Sequence, residues 1–469
     1  MSETELHPES KPPESELDED DRLKPEFVSA VLEAVAAGDA ETARMRVAPL
    51  HPADIADLVE LTPADLRPLL VAAISDLIDG DVLAEMNDWV REALVDALTA
   101  TQVADIAAEL DTDDAVAIIE DMDLEDQREV LRALDPDDRA AIEEALSYPE
   151  ETAGRLMQRE LIAVPEHWTV GDVLDYLRGH EELATDFWEI FVVDPAHHPV
   201  GTCALSWILR TPRAVLISDV MKREQTLIPA DMDQEEVALR FQKYALISAA
   251  VIDSSGRLVG MITVDDIVHI ISEEAGEDIL RLSGAGDGDI NEPVLTTVRT
   301  RLIWLVVNLG TAMVAASVVN LFDRVIAGYA LLAALMGIVS GMGGNAGTQT
   351  LAVVVRALAT NQLTESNMTR TVLREVRIAA VNGLSLGVLI GLGTLVIFHN
   401  PTLSFVFGLA ILINNLIAGL AGVLIPLTMD RLRIDPAISS AVFVTLMTDS
   451  LGFFAFLGLA TLFRVHGAG

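Results

Sequence analysis

The stretch PAISSAVFVTLMTDSLGFFAFLGLATLF, residues 436–463, is long and apolar enough to cross a bilayer, yet it carries Asp449 near its middle. Spanning takes about 20 apolar residues as a helix. A carboxylate at that depth costs on the order of 3 kcal/mol even on forgiving insertion scales, and such groups usually face a bundle interior or a watery path. Two readings stand on spacing alone: a structural acid bonded to a neighbouring helix, or an ion ligand.

Working outward, four more apolar segments precede it, at 301–322, 325–357, 371–398 and 403–429. All exceed the spanning length. Basic residues gather in alternate connections. Arg299 and Arg301 stand before the first span. Arg356, Arg370, Arg374 and Arg377 lie around the second-to-third connection, and Arg431 and Arg433 before the fifth. The other side has only Arg324 and Arg464. The positive-inside rule then places the N-terminus in the cytoplasm and the C-terminus outside a cell membrane crossed several times.

The charge is split unevenly. From residue 301 onward lie nine of the 31 Lys+Arg and six of the 73 Asp+Glu, so the first 300 residues hold 22 bases against 67 acids. Such a surface excludes nucleic acid as a partner, because phosphate binding needs a basic footprint. It suits cations, or solvation alone. The one cysteine, Cys203, permits no intrachain disulfide, and no apolar signal segment opens the chain. No phosphate loop, nucleophile–base pair or zinc spacing is visible, so an enzyme is not expected.

The second span contains GIVSGMGGNAGTQT. Gly337/Gly341 and Gly343/Gly347 are GxxxG pairs, which let helices approach closely. Asn345, Thr348 and Gln349 add oxygens that a packing face does not need. Glycine-freed carbonyls beside side-chain amides suit passage of a hydrated cation. Asn414 and Asn415 on the fourth span read as interhelical glue.

Ahead of the membrane part, residues 1–24 read as a disordered acidic tail. Residues 25–150 repeat short amphipathic helices such as LHPADIADLVEL and LDTDDAVAIIEDM, with Pro, Asp or Thr at their starts. These predict an all-α superhelical stack. Residues 151–272 are duplicated. Met157 pairs with Met221 and Pro165 with Pro229, and EIFVVDPAHHPVG aligns with SAAVIDSSGRLVG. This duplication resembles a tandem pair of CBS (cystathionine-β-synthase-type) domains, over 151–213 and 214–272. The resemblance implies adenine-nucleotide binding through the Thr263-to-Asp266 pattern of the second copy. The first copy has Trp207 where that Asp would stand. Residues 273–298 predict a connecting helix that breaks at SGAGDGD and leads into a pore domain of five transmembrane helices over 299–465.

Taken in order, these parts resemble the MgtE family of magnesium channels and transporters. YPEETAGRLM (148–157), VDDIV…EEAGEDILRLSG (264–284), GGNAGTQTLAVVVRALAT (343–360) and DPAISSAVFVTLMTDSLGFFAFLGLA (435–460) carry the resemblance. It implies a homodimer in the lipid bilayer, with a pore along the dimer axis lined by the second and fifth spans. Asp449 matches the pore aspartate, and Asn345 and Gln349 the pore-proximal motif. Mg2+ would be both cargo and regulator. Regulatory ions would sit among Asp233, Glu235, Asp266, Glu274, Glu277 and Asp278, with Asp113 and Asp114 as weaker candidates, and would close the pore. Two other readings stay open: a carrier of Co2+ or Zn2+, and a membrane-anchored CBS sensor that transports nothing.

Overall fold

The computed structural model describes residues 16–465 apart from 121, 181–182, 184–186, 286–289, 365 and 439, and only the backbone of 278. The chain forms two compact units, Met1–Ile271 and Ser272–Gly469. The tail expected over 1–24 lies outside the described residues as far as 15. Residues 16–24 are ordered: Leu17 and Leu23 form an isolated antiparallel bridge, and Leu23 is buried in the helical core.

The first unit begins with ten described helices: α1 (Pro25–Ala36), α2 (Ala40–Val47), α3 (Pro52–Leu61), α4 (Arg67–Ala73), α5 (Gly80–Ala84), α6 (Asp88–Val95), α7 (Ala100–Ala107), α8 (Thr112–Glu120), α9 (Leu124–Ala133) and α10 (Pro136–Leu146). Helices this short are marginal alone. Caps and a shared core hold them. Asp39 and Asp79 accept from the backbone of Thr42 and Val82, and Thr99 closes a capping box with Gln102. Leu58, Leu70, Ile74, Ile118, Ile119 and Ile142 bury almost completely in one continuous cluster.

The duplication becomes two copies of one topology. The first runs β1 (Ala163–Pro165), α11 (Val170–Gly179), β2 (Glu189–Val193), β3 (Pro199–Ala204), α12 (Leu205–Arg210). The second, led in by the short α13 (Ile217–Val220), runs β4 (Leu227–Pro229), α14 (Gln234–Tyr244), β5 (Ser248–Ile252), β6 (Leu258–Thr263). Each sheet pairs its first two strands in parallel and its last two antiparallel. The register shifts at Val192/Val193 in one and at Val251/Ile252 in the other. The segment leading into each copy seats on the other copy. A side chain at Gly260 would meet the Met157 sulfur at 2.7 Å, and one at Gly201 the Met221 sulfur at 2.9 Å. The Met157–Met221 pairing read in the sequence thus reflects a reciprocal exchange.

From Thr263 a single helix, α15 (Val264–Ser283), runs on without a break between the second copy and the connecting segment. The membrane unit then holds α16 (Val294–Asn320), α17 (Asp323–Gly328), α18 (Leu331–Ala359), α19 (Met368–Phe398), α20 (Pro401–Arg431) and α21 (Ser440–Leu462). Five of these are long and apolar enough to span a membrane. The SGAGDGD break falls largely outside the described residues. The segment expected to start the second span is split, with α17 as a short helix ahead of α18. The most buried of the five is α20, which packs on α18, α19 and α21.

Candidate functional site

Within the membrane unit, α18 and α21 bring the sequence-predicted residues to one region. Asp449 is half-buried, and the hydroxyl of Ser340 on α18 donates to its Oδ1 at 2.6 Å. A hydrogen bond to a charged acceptor is worth about 1.5–3 kcal/mol and fixes where the carboxylate points. Asp449 is therefore both bonded to a neighbouring helix and left with oxygen lone pairs for other contacts.

The two GxxxG pairs part company. Cβ atoms added at Gly343 and Gly347 would lie 2.1 Å from Asn414 Nδ2 and 2.4 Å from Val444 Cγ1, so this side of α18 is closed by α20 and α21. Asn414 acts as the expected glue, its amide donating to the Val339 carbonyl at 2.7 Å. Gly337, Gly341 and Gly344 meet nothing within 4 Å. Together with Asn345 and Thr348 they form an open stripe at helical spacing, and Asn345, Thr348 and Gln349 are exposed. A stripe of glycine, amide and hydroxyl is a poor match for lipid tails, so water or protein suits it better.

The first unit brings together a different set. Thr112 opens α8, and both its N–H and its hydroxyl are held by Glu160, at 3.2 and 2.8 Å. This presents Asp113 and Asp114 in the first turn of α8. Across from them is Asp266 on α15, whose Oδ2 accepts from Thr263 at 2.8 Å. Burial, with Asp266, Asp114 and Asp111 as negative neighbours, holds the Asp113 carboxyl well above the usual carboxylate range. Asp114 is pushed up to about 6 by burial and then by Asp266 and Asp111. Asp266 is raised as well, first by burial. The Oδ1 of Asp113 is buried and accepts no hydrogen bond. Crowded, desolvated carboxylates of one sign want a proton or a cation. Among the described residues no three His, Cys, Asp or Glu side chains are close enough to hold a bare metal ion.

The other predicted acids are placed differently. Asp233 caps α14, its carboxylate accepting from the Glu235 N–H at 3.0 Å, so a capping role accounts for it locally. Glu235 lies in the first turn of that helix. Glu274 and Glu277 lie along α15, and the side chain of Asp278 is outside the described residues. Glu277 forms an ion pair with Arg281, which also reaches Asp435 Oδ2 at 2.9 Å. Leu282 packs beside Leu351 and Val444, so the end of α15 is seated on the helices that carry Gln349 and Asp449. Sequence reasoning missed Ser340, Asp111, Arg281 and Asp435. All four lay inside quoted motifs, but nothing local marked their partners.

A helical stack and a CBS-type pair joined to five membrane-length helices, one with an acid at mid-span, define a multi-pass membrane protein. Three family models match the chain: one described as a divalent cation transporter over residues 336–459, one as the MgtE intracellular N domain over 50–151, and one as a CBS domain over 217–273. The magnesium transporter MgtE of Enterococcus faecalis is 34% identical over 68% of this chain and 71% of its own length. That of Thermus thermophilus is 33% identical over 68% of this chain and 72% of its own. A solved structure described as the cytosolic domain of the Mg2+ channel MgtE in complex with ATP is 28% identical. It covers 52% of this chain and 99% of that one, with a TM-score of 0.47. The chain belongs to the MgtE family.

Proposed function

We propose that this protein carries Mg2+ into the cytoplasm down its electrochemical gradient, through a pore shared by two copies of the chain and closed by cytosolic Mg2+. The observation that carries the reading is Asp449 at mid-span, steadied by Ser340, beside the open glycine and amide stripe of α18. One protomer offers one carboxylate there. A twofold axis along the stripe would supply a second and cover the open face. Mg2+ sheds water reluctantly, so two carboxylates and a few amide oxygens suit a hydrated ion better than a tight cage. The names of the relatives support Mg2+ as the ion. The basic connections support a cytoplasmic N-terminus.

Closure follows from charge. Asp113, Asp114 and Asp266 repel without a cation, and Mg2+ in their midst would hold α8 against the start of α15. The far end of α15 is latched by Arg281 to Asp435, which gives the helix a grip on the pore helices. Glu274, Glu277 and Asp278 would add ligands along that helix, and Asp233 and Glu235 at the start of α14. Adenine nucleotide is proposed only for the second CBS copy, where Thr263 steadies Asp266.

The test of gating is influx into proteoliposomes containing a Mg2+ dye, with Mg2+ varied on the face bearing the acidic domains. Influx that is high at low Mg2+ and stops at millimolar Mg2+ supports the reading. Influx independent of Mg2+ on that face, or selective for Co2+ or Zn2+, contradicts it.

A further inference from the structure

We propose that the cavity between α18, α19 and α20 is a second binding site for a hydrated divalent cation, separate from Asp449. The cavity has a volume of about 200 Å³. That is room for several waters, as a hydrated ion needs. Its wall mixes apolar side chains with a few polar groups, two of them buried acceptors. Glu375 is only 4% exposed although it sits two turns inside a spanning helix. Arg374 donates to Glu375 Oε1 at 2.8 Å, but that guanidinium side chain is 65% exposed and neutralises the acid only from the rim. Asn415 is 1% exposed, and its Nδ2 donates to the Ile411 carbonyl at 2.9 Å. A carbonyl only accepts, so the amide orientation is fixed and Oδ1 is the atom left over. That oxygen is buried without a hydrogen-bond partner. Gln349, Thr350 and Asn382 complete the polar lining.

A buried acceptor without a donor costs about 1–3 kcal/mol. Water bound to a cation supplies donors on its whole outer surface, and the Glu375 charge supplies the attraction. An anion would meet the Glu375 carboxylate and the Asn415 oxygen head-on. A lipid tail would leave both unsatisfied. Gln349 lies one turn from Asn345, so the cavity opens next to the proposed path and would act as a waiting station beside it. Only the identity of the ion rests on the transport reading, since occupancy is measurable without flux.

The experiment uses the full chain in micelles with Val353→Cys at the cavity wall, where the native residue is half-exposed. The native Cys203 is buried, and burial pushes its thiol up to about 11, so it stays silent. The rate of modification by a cationic methanethiosulfonate is read with Mg2+, with hexaamminecobalt(III) as a hydrated-ion mimic, and with Na+ at equal ionic strength. Both multivalent ions should slow the reaction about fivefold, the scale of a half-exposed charge pair, and Na+ should not. Glu375→Gln should abolish the protection and Asp449→Asn should leave it intact. Asn382→Asp, on an exposed position, should strengthen it, which keeps the test decisive if Glu375→Gln fails to fold. No protection in the Val353→Cys chain, equal protection in Glu375→Gln, or protection lost with Asp449→Asn instead would each overturn the proposal.

Discussion

At the scale of single residues, the decisive feature is a carboxylate whose direction is fixed by one hydroxyl. Asp449 was legible in the sequence because an acid in an apolar run has no cheap explanation. Ser340 was not, because a serine between glycines reads as a small packing residue and its partner lies 109 positions away. Ser340→Ala removes a charge-assisted bond worth about 1.5–3 kcal/mol. If only part of that is expressed as positioning of the ion, Mg2+ influx should fall about tenfold while the purified protein keeps its elution volume and melting temperature. Unchanged influx would show that Asp449 needs no steadying. Asp113 and Asp114 were legible from local pattern as first-turn acids of α8 and, through the family resemblance, as weaker ion-site candidates; their crowding with Asp266 comes from packing that no local pattern encodes.

At the scale of elements, the glycines of α18 divide into two faces that spacing alone could not separate. Gly347→Ala would drive a methyl to 2.4 Å from Val444 Cγ1, and overpacking of this kind costs about 1–3 kcal/mol. Thermal unfolding in micelles should show that loss. Gly341→Ala meets open space in the protomer, so the melting temperature should hold while crosslinking of the two copies and Mg2+ influx decline. Equal losses of stability in both variants would remove the distinction between closed and open faces. The latch at the end of α15 is a second element-scale device. Arg281→Ala should weaken the proposed closed state, leaving influx at the millimolar Mg2+ expected to shut the native chain, as read with the same internal dye. The spans themselves were legible from length and hydropathy. The unbroken course of α15 through residues 272–273 was not, because a domain boundary read from a repeat carries no information about helix continuity.

At the scale of the whole molecule, a net charge of −42 concentrated ahead of the membrane would, under the proposed gating, make protons and Mg2+ competitors. The sign follows from the raised acids. Asp114 stands near 6 against an ordinary 3.8, and Asp113 and Asp266 are raised too, so the docked arrangement binds more protons than the separated one. Its stability without metal is therefore retained at low pH and falls as pH rises from about 4 through 6 and above. Protection of the first unit from limited proteolysis should need little Mg2+ at pH 5.5 and progressively more at pH 8. A midpoint in Mg2+ that does not move with pH would remove the acid trio from the gating scheme. The order of parts was legible along the chain, since each has its own periodicity: 3.6 with capped starts, alternating strand and helix, then long apolar runs. How distant acids come together was not, because it depends on tertiary contacts between α8 and the start of α15.

The central claim is that Asp449 is the ion ligand of a Mg2+ pore. Its most direct measurement is Mg2+ influx into proteoliposomes at low cytosolic-face Mg2+, comparing the native chain with Asp449→Asn, which keeps the shape and removes the charge. The expected result is robust influx in the native chain and loss of at least about tenfold in the variant, the scale of one removed charge contact, with dimer and melting temperature unchanged. Equal influx in the two proteins, or none in the native chain, would contradict the claim and make Asp449 a structural acid.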